Sequence, residues 1–495
     1  MDHAPSPQVQ LLIACVLSFP LLLCIRHAQS IDHAHFITHP LNFSHSSFHG
    51  NLNCTKAFVG KGKPTYGGQA HAGLVHRYGP CSPDKELSHL SADMPSLALH
   101  LLEKDQERLG QHMFRNGPPP RDVNGRSLAT STSNWAYDTV ISQYLVKVGL
   151  GTPTRDFILL LDTGSNLAWT QCLPCDSPTS CFEQASPFFD PTTSSSYLPL
   201  SCTTWTCSSC STSGMCQFNM SYGDQSYTLG DLAEDRVTIG GATIQDYIFG
   251  CAHSSGGTFQ NVDGVLGLGW GALSLLDQSA SFFNGAFGYC LPSIFSSTSA
   301  TGFIEFGIEA VVNTSVGSSI TPMIHNVNMM TYYFVWLKSI SVGGVALSLG
   351  STPSFPATSI DTSGTLVDSG TVITRLPSSD YATLRDAFLA GITGITPVSS
   401  PVSNTLDTCF QYNTNSQIPV VTFHFDGLDF TLPFENIVYP IDLSTNTVCL
   451  GFAKLPLGMS NQQLIIIGYH QMAGFLFTFD TIGSSLGIQT ASKVC

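Results

Sequence analysis

A chain of 495 residues with 43% hydrophobic residues is long enough to bury more than one core. Its 19 Lys and Arg stand against 34 Asp and Glu, a net charge of -15, which opposes a nucleic-acid surface on the folded part because phosphate binding rests on clustered basic side chains. A sparse, acidic charge set suits work in acid, where protonated carboxyls relieve self-repulsion.

In chain order, Leu11 to Ile25 is an apolar stretch of signal-peptide length, too short for a comfortable membrane span. Ala28 and Ser30 supply small residues before a cut after Ser30, although the stretch ahead of Leu11 holds no Lys or Arg. Residues 1–30 are therefore predicted to be a signal peptide, and the mature protein to be soluble and secreted, with retention in an organelle as the alternative.

Residues 31–130 hold ten of the sixteen histidines and ten Lys or Arg against eight Asp or Glu. From Ser131 onward there are eight basic and twenty-five acidic residues. A basic, His-rich stretch ahead of an acidic body predicts a propeptide, 31–133, clamped partly by charge. Acid would protonate the body's carboxyls and charge the histidines, so self-release at low pH is expected. Ser96 to Met113 reads as a helix with Leu97, Leu101, Leu102 and Leu109 on one face. His33, His35, His39, His45 and His49 lack a CxxC or HExxH setting, and no metal or other cofactor is expected. Gly117–Pro120 and the Ser/Thr-rich run to Ser133 read as an exposed linker open to processing.

The body is organised around Phe157 to Asn166, F-I-L-L-L-D-T-G-S-N, echoed at Thr365 to Arg375, T-L-V-D-S-G-T-V-I-T-R. Each copy is an apolar run of strand character that ends in an acid, a small hydroxyl residue and a glycine. Asp162 and Asp368 would thus emerge at the ends of buried strands, with Gly164 and Gly370 allowing a sharp turn. V-L-G ends at Gly267, 105 residues after Asp162, and I-I-G ends at Gly468, 100 residues after Asp368. The chain therefore reads as two similar halves, 134–321 and 322–495, each offering one aspartate.

Cys172, Cys175, Cys181, Cys202, Cys207, Cys210 and Cys216 crowd the first half, followed by Cys251, Cys290, Cys409, Cys449 and Cys495. Behind a signal peptide, this even, irregularly spaced set predicts disulfides rather than a zinc site. Asn219 to Gly230 reads as a hairpin turning at Gly223 and Asp224 between Tyr222 and Tyr227. Ser379 to Ile392 reads as a helix, with Arg375 and Arg385 as ordinary solvent or ion-pair residues. Sequons place candidate glycans on Asn42, Asn53, Asn219 and Asn313.

The two motifs Asp162–Ser165 and Asp368–Thr371, the two apolar-apolar-Gly segments and Y-G-D-Q-S at Tyr222–Ser226 together resemble the pepsin-type aspartic proteases. The cysteine-rich insert is similar to the plant nepenthesin-like branch. H-R-Y-G-P-C-S-P at His76–Pro83 and D-S-G-T-V-I-T-R-L-P resemble the plant proteases described as chloroplast-nucleoid DNA-binding. The resemblance implies a mostly β, bilobed fold with a cleft between the lobes and an endopeptidase acting on protein or peptide substrates as a monomer. It implies Asp162 and Asp368 as the catalytic pair, and Thr163 and Ser369 bracing the opposite loops. Ser165 and Thr371 would bond the outer carboxylate oxygens, and Tyr222, partnered by Trp169, would be the flap residue. It also implies the bridges Cys409–Cys449 and Cys290–Cys495. Asn166 stands where many relatives carry Asp, with little effect expected on the reaction type. Two other readings stay open: an inactive binding or inhibitor protein on the same fold, and a nucleic-acid-binding homologue, which the acidic body opposes.

Overall fold

The structure, a computed structural model, describes residues 36–37, 54, 57–58, 69–79, 81–83, 94–112 and 144–489, apart from 223–225, 260, 294, 296–300, 308–318, 327–328, 351–363 and 457–462. The expected signal peptide, His33–His49 cluster and linker lie outside these residues, as do Gly223, Asp224, Cys495, Asn42, Asn53 and Asn313.

The amino-terminal stretch supplies strand β1 (Ala70–His76) and helix α1 (Met94–His112). The first lobe follows with β2 (Tyr144–Leu150), β3 (Arg155–Asp162), β4 (Trp169–Gln171), β5 (Cys216–Ser221), β6 (Tyr227–Ile239), β7 (Ala242–Gly256), β8 (Gly264–Gly267), β9 (Ala286–Cys290) and β10 (Gly302–Phe306). The second lobe uses β11 (Ser319–Ile324), β12 (Tyr333–Val335), β13 (Gly364–Val367), β14 (Thr374–Leu376), α2 (Ser378–Gly391), β15 (Phe452–Lys454), β16 (Leu464–Ile467), α3 (Tyr469–Met472), β17 (Leu476–Asp480) and β18 (Ser485–Gln489). Two further four-stranded sheets flank it, one of them holding Cys409–Gln411 beside Thr447–Leu450.

The repeated motifs are repeated architecture. In the first lobe β8 runs parallel to β3, with Gly264 opposite Leu159 and Gly267 opposite Asp162. In the second, β16 runs parallel to β13, with Gly364 opposite Leu464 and Val367 opposite Ile467. A parallel pair cannot be closed by a tight turn and needs a crossover, which here is the hundred or so residues between each aspartate and its apolar-apolar-Gly segment. Both closing glycines answer to close approach. A Cβ on Gly267 would fall 2.2 Å from the Asn166 carbonyl oxygen, and one on Gly468 would fall 2.6 Å from the Ile373 carbonyl carbon.

The lobes share one run of paired strands, β2–β1–β10–β9–β17–β18–β11. Phe287 stacks on Phe479 across it at 4.6 Å between ring centroids. The expected helices are present as α1 and α2; Leu97, Leu101, Leu102 and Leu109 of α1 are buried, as are Tyr381, Leu384 and Phe388 of α2.

The cysteines form Cys172–Cys251, Cys175–Cys181, Cys202–Cys210, Cys207–Cys216 and Cys409–Cys449, with an additional bridge, Cys54–Cys81, in the amino-terminal stretch. Cys290 is also disulfide-bonded. The sulfurs of Cys202, Cys207 and Cys210 lie together, but they belong to two disulfides, so no thiolate is left there to bind a metal. No helix among the described residues is long and apolar enough to cross a membrane.

Candidate active site

Asp162 ends β3 and Asp368 follows β13, and both are buried. Each carboxylate accepts a bond from the glycine two residues on: Gly164 N–H to Asp162 Oδ1 at 3.0 Å and Gly370 N–H to Asp368 Oδ1 at 2.8 Å. Neither glycine adopts a positive φ. Their use here is as N–H donors in the sharp turn that the sequence suggested, without a left-handed backbone.

The two loops meet through their hydroxyls. Thr163 Oγ1 and Ser369 Oγ lie 3.1 Å apart, and the Ser369 N–H donates to Thr163 Oγ1 at 3.3 Å. Behind them, the Leu268 N–H donates to the Asp162 carbonyl at 2.7 Å, and the Asp368 N–H to the Ile467 carbonyl at 3.1 Å. Each loop is thus pinned to the strand that closes its own lobe.

The neighbouring hydroxyls are not equivalent. Thr371 Oγ1 donates to Asp368 Oδ2 at 2.6 Å, as expected. Ser165 Oγ, expected to do the same for Asp162, is buried and finds no hydrogen-bond partner among the described residues. Branching at Cβ restricts the rotamer of threonine, whereas serine is free to turn its hydroxyl elsewhere.

Trp169 Nε1 donates to Tyr222 Oη at 2.6 Å, joining β4 to the end of the β5 strand. Phe259 packs edge-on against both rings, at 5.0 Å from Trp169 and 5.2 Å from Tyr222. β5 and β6 form the expected hairpin, closing at Ser221 opposite Tyr227. Asn166 spans the lobes: its Nδ2 donates to Thr331 Oγ1 at 3.2 Å and its Oδ1 accepts from Gly271 N–H at 3.0 Å.

Sequence reasoning missed three contributors. Asp263 is fully buried ahead of β8 and accepts from Ile158 N–H at 2.6 Å and Ser186 N–H at 2.8 Å; burial raises its pKa against these bonds. Tyr333 Oη donates to the Leu268 carbonyl at 2.5 Å, tying β12 to the segment after β8. Arg375 proves fully buried and paired with Asp105 of α1, whose side chain is equally buried. Its legible signal was an acid in the apolar stripe of that helix, four positions from both Leu101 and Leu109. Arg385, by contrast, pairs near the surface with Asp386 and Asp407, as read.

Comparison with known proteins decides the family. Models described as xylanase inhibitor N-terminal and C-terminal match residues 144–308 and 332–490. The Arabidopsis thaliana protein Aspartic Protease in Guard Cell 2 is 33% identical, over 82% of this chain and 90% of its own. Aspartic proteinase nepenthesin-1 of Nepenthes gracilis is 34% identical, over 83% of this chain and 89% of its own.

This chain belongs to the pepsin-type aspartic proteases, in the plant nepenthesin-like branch. It is an aspartic-type endopeptidase on the bilobed β fold of that family. Among solved structures, soybean basic 7S globulin superposes with a TM-score of 0.56 at 22% identity, over 71% of this chain and 93% of its own. At that distance the likeness concerns the aspartic protease fold alone.

Proposed function

We propose that this aspartic protease is a secreted endopeptidase that cleaves peptide bonds in acid, with Asp162 and Asp368 as its catalytic pair acting on one shared water. The observation that carries this reading is the hydroxyl contact between Thr163 and Ser369, which sets the two aspartate turns side by side. Like charges in one site do not both ionise cheaply, so the pair holds a single proton, as is general for aspartic proteases. The ionised carboxyl takes a proton from the water as it attacks the carbonyl carbon. The protonated one donates toward the carbonyl oxygen, and the roles reverse when the amine leaves. Thr163 and Ser369 would brace the loops, Gly164 and Gly370 would hold the inner oxygens, and Thr371 would hold the outer oxygen of Asp368. Tyr222, seated by Trp169, would cover the substrate, with Gly223 and Asp224 forming the flap tip.

Residues 1–30 would be removed on export, and the disulfides support an oxidising compartment. The protein would be made as a zymogen and cut in the linker ahead of residue 144. Asn219 is exposed on β5 and would carry a glycan pointing away from the cleft.

The test is hydrolysis of a denatured protein at about pH 4 with and without pepstatin. Asp162→Asn and Asp368→Asn should each abolish turnover while the far-UV spectrum stays unchanged. Activity surviving in both variants would overturn the assignment. No pepstatin-sensitive cleavage in the wild type would instead favour an inactive binding protein on this fold.

A further inference from the structure

The amino-terminal stretch is built into the body. β1 lies between β2 and β10, with Leu74 opposite both Val146 and Gly302. α1 turns Leu97, Ala98, Leu101, Leu102, Asp105 and Leu109 inward. Leu109 joins an apolar cluster with Phe334, Leu366 and Ile466, from the two strands that frame Asp368 and from β12.

Asp105 does more than fill space. Its Oδ1 accepts from the Val372 N–H at 2.9 Å, and its Oδ2 accepts from Arg375 Nε at 3.1 Å and Nη2 at 2.5 Å. Gln106, next along the helix, accepts from Arg375 Nη1 at 3.0 Å. Val372 directly follows Thr371, whose hydroxyl bonds the Asp368 carboxylate. The other side of the same peptides is held by α3, where Tyr469 N–H donates to the Thr371 carbonyl at 2.8 Å and His470 N–H to the Val372 carbonyl at 3.0 Å. The loop beyond Asp368 is therefore gripped between α3 and α1.

We propose that Asp105 is a positioning residue for the Asp368 loop, and that β1 and α1 stay seated in the active enzyme as a separate, non-covalently held chain after the linker is cut. This rests on the catalytic reading given above. Without α1, the Arg375 guanidinium would exchange its carboxylate and Gln106 for water and keep, among the described residues, the Lys454 carbonyl at 3.4 Å. A buried N–H at Val372 would lose its acceptor as well. Both groups would then meet water through the gap left by the helix, and the loop would lose the fixed partners that hold it in one position. Leaving would also return four leucines of α1 to water. The Cys54–Cys81 bridge closes within the amino-terminal stretch, so it ties nothing to the body. Composition alone suggests a segment cast off in acid; this geometry makes it part of the working site.

Full-length protein should be cut to completion in the linker, captured on immobilised pepstatin at about pH 5 and measured by intact mass, with gel filtration in parallel. The expected result is both chains in equal amounts in the pepstatin-bound, active fraction. An active fraction holding the body alone overturns the proposal. Gel filtration reports on seating whether or not the protein cleaves anything, so a failure of the catalytic reading is told apart from loss of the helix.

Asp105→Asn strands Arg375 and endangers folding, so the second variant is Asp105→Leu with Arg375→Met, which removes both charges at similar bulk. It should fold and keep its two chains together. Its kcat should fall roughly tenfold, for one lost anchor on Val372, with KM little changed. A kcat equal to wild type would remove the positioning role.

Discussion

Thr163 and Ser369 stand 206 residues apart in the chain and touch at 3.1 Å through their hydroxyl oxygens. Each is the residue immediately after an aspartate that ends or follows a buried strand, so this one contact fixes the spacing of the two carboxyl-bearing turns. Thr163→Val keeps the shape and removes the bond. The expected result is a loss of about 1 kcal/mol in transition-state stabilisation, roughly fivefold in kcat, with KM held. Steady-state kinetics on a quenched peptide check it; an unchanged kcat would show that packing alone sets the spacing.

Thr371 and Ser165 offer a sharper contrast. The Thr371 hydroxyl donates to the Asp368 carboxylate at 2.6 Å, while the Ser165 hydroxyl has no partner among the described residues. Hydrogen bonds to charged groups contribute about 1.5–3 kcal/mol, so Thr371→Val should lower kcat by roughly tenfold to a hundredfold. Ser165→Ala should stay within about twofold. Equal losses in the two variants would contradict this asymmetry.

His76 makes the seat of β1 sensitive to acid. Its ring is buried edge-on against Tyr144 and close to Tyr469 and Tyr78, its Nε2 has no hydrogen-bond partner among the described residues, and the Arg77 guanidinium is its charged neighbour. Burial first, and Arg77 second, lower its pKa to about 3. Out of its seat the ring takes a proton near its ordinary value of about 6.5. The seated form therefore loses stability as pH falls from about 6.5 toward 3, with roughly 2 kcal/mol gone at pH 5. His76→Phe should flatten the fall of Tm over that range; a wild-type slope in the variant would exclude His76 as the sensor.

His253 works in the opposite direction. It lies 3.6 Å from Asp231 and 2.9 Å from the Pro174 carbonyl, and the Asp231 carboxylate foremost raises its pKa. This contribution is whole below the ordinary histidine value and is lost as pH rises through the folded one. His253→Ala should therefore lower Tm more at pH 5 than at pH 8. Denaturation measured at both values checks it, and a larger loss at pH 8 would refute it.

The Cys172–Cys251 bridge closes 79 residues of the first lobe and joins the end of β4 to β7. Replacing both cysteines by alanine should cost about 2–4 kcal/mol, most of it through a freer unfolded chain. Urea unfolding checks the size, and a loss below about 1 kcal/mol would mean that the surrounding strands alone hold the lobe.

Much of this architecture follows from local pattern. An apolar run that meets an acid, a hydroxyl and a glycine reads as a buried strand ending in a tight turn, and its recurrence with V-L-G and I-I-G announces a duplicated lobe. The stripe Leu97, Leu101, Leu102 and Leu109 announces α1, because helical periodicity is written in consecutive residues. The disulfide class is legible from cysteine number and setting, while the pairing within the cysteine-rich insert is not.

What only the tertiary structure decided is which distant groups share a space. Arg375 reads in the sequence as an ordinary solvent or ion-pair residue; in the fold it is in an ion pair, but a fully enclosed one, with Asp105, 270 residues earlier. The hydroxyl of Ser165 and that of Thr371 are equivalent in motif and differ in what they bond. The physical reason is the same in both cases: periodicity and turn chemistry act over a few residues, whereas burial and hydrogen-bond partnership are set by whatever the folded chain brings alongside.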